Sequence, residues 1–282
     1  MRMARIRPVL VVHGGAGNHR YNEDGCSAAA RRGLERLRAG EDALAAAVAA
    51  VVAMEDDPRF NAGTGAMLRS DGATIETDAS VMDSSGRLGA VCCLRDVRNP
   101  VLVARQVVET PHWMLAGPGA VDFARAQGFG PHRLEPAADA LPPGAAGEPA
   151  PAGRHETDTV GAVVLDGRGL FAVASSTGGS APAMVGRVGD TPIPGCGYWA
   201  GPHGAVAATG VGEQIVARLL ARVVYEWIER GMPLQQALER GVALFPASCA
   251  VGLIGVTRHE AAAASNREMP FHVLCDDEGA GD

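Results

Sequence analysis

The chain has 282 residues, 47% of them hydrophobic, enough to bury a substantial core in one large domain or two smaller ones. Its formal net charge of −7, with both signs interspersed, lacks the basic stripe that a nucleic-acid partner needs and gives no attraction to anionic membranes. The six cysteines, Cys26, Cys92, Cys93, Cys196, Cys249 and Cys275, form no CxxC pair and no zinc-type spacing with histidine, so buried thiols in a reducing compartment are expected.

The apolar run from Pro8 to Val12 predicts a first buried strand. It is shorter than the core of about 7–15 residues that a signal peptide carries. HGGAGN, His13 to Asn18, follows as a glycine-rich turn where backbone can approach a ligand closely. Ser27 to Leu37 and Glu41 to Met54 read as helices, the second alanine-rich and suited to close packing on a sheet. Its apolar run is well short of the ~20 residues that span a bilayer, and a cytoplasmic location is expected. Residues 73–80 alternate as a strand does, and residues 88–95 read as its partner, with Cys92 and Cys93 on opposite faces. Asn99-Pro100 supplies an N-cap and a first helical residue, and a short helix from Ala120 to Gln127 stops at Gly128.

From Pro131 to Ala152 the chain is rich in proline, alanine and glycine and poor in apolar bulk, which predicts a flexible linker. Such a linker commonly marks a domain boundary. Strands are predicted at Val160 to Leu165 and Leu170 to Ser175, joined by an Asp-Gly turn. One long helix, Gln214 to Arg230, and a second, Pro233 to Leu244, precede closing strands at Gly252 to Thr257 and Phe271 to Cys275. Blocks of strands alternating with blocks of helices suggest an α+β fold of stacked sheet and helix layers rather than a βαβ repeat.

Thr159 stands between the linker and a buried strand. Read plainly, it is a β-branched residue opening that strand. If the bond after Asp158 is cut, Thr159 gains a free α-amine beside its own hydroxyl, and an amine of ordinary pKa about 7.7–8.0 can act as a general base near neutrality. In GRVGD, Arg187 offers a planar fork for a carboxylate and Asp190 an acceptor for an ammonium, although such a pair is also common on solvated surfaces. TGVGE, Thr209 to Glu213, lies between a strand and a helix, where backbone N–H groups and a hydroxyl converge on one point, as an oxyanion requires. Asn61 in NAGTG and Thr177 in STGG add an amide and a second hydroxyl, each equally at home in a simple turn.

HGGAG, NAGTG, DASVMD, RNPVLVAR, TVGAV, STGG, GRVGD and TGVGE occur in this order from about residue 9 to 256. The set resembles the plant-type asparaginase and isoaspartyl peptidase family of N-terminal-nucleophile hydrolases. The resemblance implies a single four-layer αββα domain that cleaves itself between Asp158 and Thr159, giving chains 1–158 and 159–282. It implies Thr159 as nucleophile, with Thr177 contacting and tuning it. The substrate's α-carboxylate and α-amine would be held on the loop of Arg187, Val188, Gly189 and Asp190. Thr209 and Gly210 would form the oxyanion site, with Asn61 beside the leaving group, and Thr209, Gly210, Val211 and Gly212 would also line the substrate. A structural sodium would sit on backbone carbonyls of Met54, Glu55, Asp57, Phe60, Ala62 and Thr64. No catalytic cofactor is implied, and the mature form would be a dimer of αβ units acting on asparagine or isoaspartyl dipeptides.

Two features depart from the family pattern. Asp158 stands where many members have Gly, and SNREMPFHVL near the C-terminus lies outside the match. Aspartate before the nucleophile is familiar in glycosylasparaginases, but Glu213 stands where that branch usually has Asp. A glycosylasparaginase-like amidase is therefore one alternative, and an unprocessed amino-acid-binding protein that keeps Arg187 and Asp190 is another. A serine hydrolase is disfavoured because no GxSxG elbow accompanies HGGAG.

Overall fold

The computed structural model describes residues 6–134 and 159–276. Most of the expected linker, and Asp158 itself, lie outside the described residues. In chain order the elements are β1 (Val9–His13), α1 (Glu23–Arg38), α2 (Ala43–Glu55), β2 (Thr77–Asp83), β3 (Leu88–Leu94), α3 (Pro100–Val107), β4 (Met114–Ala116) and α4 (Gly117–Ala126). After the gap come β5 (Val160–Leu165), β6 (Phe171–Thr177), β7 (Tyr198–Gly201), β8 (Gly204–Gly210), α5 (Gly212–Val216), α6 (Leu220–Glu229), α7 (Leu234–Val242), β9 (Val251–Val256), β10 (Ala261–Ser265) and β11 (Phe271–Cys275).

Two sheets form. One has seven strands in the order β11-β1-β5-β6-β2-β3-β4, and the other four in the order β10-β9-β8-β7. All neighbours are antiparallel except β3 and β4. Period-two alternation divides the apolar residues among three clusters. Leu10 and Val12 of β1 and Val160 and Val164 of β5 join Leu44, Val48 and Val51 of α2. Val11 and Val163 point the other way and meet Ala205, Ala207 and Ile254 of the second sheet. Val206, Ala208 and Leu253 in turn pack on Leu220, Val224, Leu234 and Leu238 of α6 and α7. Strands covered on both faces explain why VLVV and VGAVVL are apolar throughout rather than alternating.

Several elements differ from their sequence expectation. Residues 73–76 are not part of β2, because the Asp71 carboxylate accepts from the Ala73 and Thr74 N–H groups and closes a turn there. The long helix expected from Gln214 to Arg230 is broken at Leu219, in left-handed conformation (φ 48°). The N–H groups of Ala221 and Arg222 at the start of α6 donate to the Cys196 and Gly195 carbonyls, redirecting the chain. Asn99 precedes α3 but does not cap it with its side chain, which reaches Asp56. The buried Glu55 carboxylate accepts from the Val101 N–H instead, at 2.9 Å. Cys92 and Cys93 do not alternate regularly, since Cys93 sits at φ 51° with its N–H donated to the Asp78 carboxylate. All six cysteines are free, and all but Cys93 and Cys275 are buried. The strands β4 and β10 have no sequence signal of their own, since β4 has three residues and β10, AAAAS, lacks β-branched side chains, whereas β7, YWAG, opens on two strand-favouring aromatics.

No helix among the described residues is long and apolar enough to cross a membrane.

Candidate active site

The first sheet's β5 and β6 and the second sheet's β8 end around one cleft, lined by Thr159, Thr177, Arg187, Asp190, Thr191 and Gly210 among others. Thr159 leads into β5 and is only 6% exposed. The hydroxyl within reach of its Oγ1 belongs to Thr191, at 3.4 Å. Thr177, at the end of β6, shares the cleft, and its Oγ1 accepts from the Gly179 N–H at 3.1 Å. Thr191 carries no sequence signal beyond following Asp190 in the GRVGD turn.

Arg187 and Asp190 face the same cleft. Arg187 makes a two-pronged ion pair with Glu213, Nε to Oε1 at 2.9 Å and Nη2 to Oε2 at 2.8 Å. Asp190 is buried, and its Oδ2 has no hydrogen-bond partner. Burial pushes its carboxyl up to about 7, against the opposing pull of its own backbone N–H and of Arg187. Gly212 explains how TGVGE joins the pair: a Cβ there would lie 2.8 Å from Arg187 Nη2 and 3.0 Å from Asp190 Oδ1. A Cβ at Gly189 would lie 2.8 Å from Arg187 Nη1, so a side chain at either glycine would crowd the guanidinium. Val188 and Val211 are half-buried beside these anchors, and the Val211 N–H is donated to the Ala250 carbonyl.

Thr209 is fully buried one residue behind Gly210, and its Oγ1 accepts from the Ala16 N–H of the HGGAG turn at 3.2 Å. That turn is held from its other side by SNREMPF, whose Glu268 and Pro270 carbonyls accept from Gly17 and Gly14. Asn61 is clamped to the STGG turn: its Nδ2 donates to the Gly179 carbonyl at 2.5 Å, and its carbonyl accepts from the Gly178 N–H at 2.9 Å. A Cβ at Gly178 would collide with Asn61 Oδ1, so glycine is needed for that approach.

Three further residues frame the site: His13, which opens HGGAG, and Arg69 and Glu76, which carry no site signal in the sequence. His13 is wholly buried with neither ring nitrogen hydrogen-bonded, in space left by the missing side chain of Gly161. Burial holds it neutral, lowering it to about 3, with the Thr159 backbone acting in the opposite direction. Arg69 and Glu76 form a buried pair at 3.3 Å. Glu76 accepts from the Gly186 N–H at 2.7 Å and from Arg95, and Arg69 Nη2 donates to the Arg187 carbonyl at 3.2 Å. Burial works to raise the Glu76 carboxyl, but these donors keep it below its ordinary value.

Among the described residues, no group of three or more His, Cys, Asp or Glu side chains could hold a metal. The 54–64 loop offers backbone oxygens instead. Gly63, at φ 51°, lets it fold so tightly that a Cβ would stand 2.6 Å from the Glu55 carbonyl and 3.0 Å from that of Arg98. Within the loop the Met54, Asp57, Phe60 and Ala62 carbonyls accept from the Asp57, Phe60, Ala62 and Gly65 N–H groups.

A sequence profile described as asparaginase matches residues 6–140 and 132–279. An isoaspartyl peptidase/L-asparaginase of Macaca fascicularis is 41% identical over 261 residues, 83% of this chain and 81% of the relative. One of Danio rerio is 42% identical over 262 residues, 84% and 81% of the two chains. A plant-type L-asparaginase of Pyrococcus abyssi is 36% identical over 259 residues, 83% and 84%.

Proposed function

The chain belongs to the asparaginase family, and from that premise we propose that it is a self-processing threonine hydrolase of β-aspartyl amides. Its substrates are L-asparagine, released as L-aspartate and ammonia, and isoaspartyl dipeptides, the activities for which its relatives are named. One observation carries this reading: Arg187 and a buried, unpartnered Asp190 oxygen share a cleft with the Thr159 hydroxyl. A cation and an anion flanking a nucleophile fit the α-carboxylate and α-ammonium of an amino acid whose side chain is to be attacked.

Processing comes first. The Thr159 oxygen attacks the Asp158 carbonyl, the peptide C–N bond breaks with its nitrogen taking the proton, and water hydrolyses the ester. Thr159 then has a free amine that accepts the hydroxyl proton during attack on the substrate's side-chain carbonyl. The oxyanion forms against Thr209 and Gly210, the leaving amine departs beside Asn61, and water releases aspartate from the acyl ester. Thr177, in the same cleft, tunes the nucleophile.

A structural sodium held by carbonyls of Met54, Glu55, Asp57, Phe60, Ala62 and Thr64 would stiffen the loop that carries Asn61, supplying no chemistry itself. The whole chain forms one αββα domain of the N-terminal-nucleophile type, assembles as a dimer of processed units and works in the cytoplasm. A Thr159→Ala chain should stay in one piece on a denaturing gel and release no ammonia from asparagine. Activity persisting in that variant would falsify the assignment.

A further inference from the structure

We propose that Thr191 is a positioning residue for the nucleophile: fastened through its backbone to β2, it fixes the Thr159 hydroxyl with its own. The inference rests on the assignment of Thr159 as nucleophile. The two hydroxyl oxygens lie 3.4 Å apart, and Thr159 and Thr191 are only 6% and 1% exposed, so bulk water is a poor substitute for the contact. Thr177 has its oxygen engaged with the Gly179 N–H.

The support beneath Thr191 is built from three directions. Its carbonyl accepts from the Ser80 hydroxyl of β2 at 2.6 Å. The neighbouring Pro192 carbonyl accepts from the buried Tyr198 hydroxyl at 3.5 Å. The Ile193 and Gly197 N–H groups both donate to the Asp190 carbonyl. One turn therefore aims Asp190 at the substrate and Thr191 at the nucleophile, which ties the geometry of binding to that of attack.

The chemistry gives this contact most to do before processing. In the uncut chain the Thr159 nitrogen is an amide and cannot orient the hydroxyl as a free amine does. A neighbouring hydroxyl that accepts the Oγ1 proton in a hydrogen bond leaves an oxygen lone pair free for attack on the preceding carbonyl. The O–C bond forms, the C–N bond breaks, the Oγ1 proton ends on the released nitrogen, and Thr191 finishes as it began.

The test uses the full-length chain carrying Thr191→Val, which keeps the shape, or Thr191→Ser, which keeps the hydroxyl. Loss of one neutral hydrogen bond at the reacting oxygen should slow self-cleavage of the valine variant about tenfold. Once cleavage is complete, its kcat on asparagine should fall by a smaller factor, since the free amine then also orients the hydroxyl, with KM unchanged, and the serine variant should match the parent in both. A valine variant as fast as the parent overturns the proposal. So does a serine variant as slow as the valine one, because shape would then be the cause. Thr159→Ala run alongside separates the two failures. If it still cleaves and turns over, the nucleophile assignment is wrong; if it is inert while Thr191→Val is unimpaired, only the role of Thr191 falls.

Discussion

A carboxyl group buried with one oxygen unpartnered, as at Asp190, holds its proton to a higher pH than an exposed one. Its carboxyl lies near 7 in the substrate-free protein, so ionisation is incomplete at neutrality. The ionised form is the one that attracts an ammonium, so kcat/KM for asparagine should climb as pH rises through about 7, ahead of the rise expected where the Thr159 amine, ordinarily about 7.7–8.0, loses its proton. The des-amino analogue of asparagine, which has no ammonium to place, should keep only the later rise; identical profiles for the two compounds would dissociate Asp190 from amine binding. Asp190→Asn should lower kcat/KM for asparagine about 30- to 100-fold, the worth of one charge-assisted contact.

Loops around the cleft owe their shape to buried side chains on neighbouring elements. Glu76, just before β2, grips Gly186, Arg69 and Arg95 together, and Arg69 holds the Arg187 carbonyl. Glu76→Gln should raise KM more than it lowers kcat, and should cost about 2–3 kcal/mol in a urea titration by weakening charge-assisted bonds. Glu55, at the end of α2, caps α3 from a fully buried position. Burial raises its carboxyl to about 8, with Ser176, Val101 and Asn99 pulling the other way. The folded state therefore holds a proton that the unfolded chain releases near 4.5, so this stability is complete at low pH and lost as pH rises through 8. Glu55→Gln keeps the cap and removes the ionisation, so its melting temperature should decline less between pH 5 and 9 than the parent's.

Across the whole molecule, the seven-stranded sheet interleaves the two products of the proposed cleavage. Going across it, β11 belongs to the second product, β1 to the first, β5 and β6 to the second, and β2, β3 and β4 to the first. Separating the pieces would break the β1–β11, β1–β5 and β2–β6 ladders and open the apolar cluster beneath α2. The two chains should therefore co-elute on gel filtration after complete cleavage and part only in denaturant. Dissociation in plain buffer would contradict this sheet order. The same topology gives SNREMPF its task, since β11 pairs with β1 and the residues before it clamp the HGGAG turn.

Local chemistry decided what could be read in advance. That Thr159, Arg187 and Asp190 share one site, and that strands surround them, was legible because side-chain chemistry and continuous apolar runs are properties of residue type and near-neighbour spacing. The ordered motifs likewise carried the family. Thr191 beside Thr159, Glu55 capping α3 from 46 residues away and Glu76 reaching Gly186 across 110 were not legible. Each is a single hydrogen bond between segments distant in sequence, and only the packing of the two sheets brings such groups within reach. Tertiary structure also broke the helix at Leu219 and joined AAAAS to a sheet, because hydrogen bonds offered by neighbouring segments outweighed local propensity there.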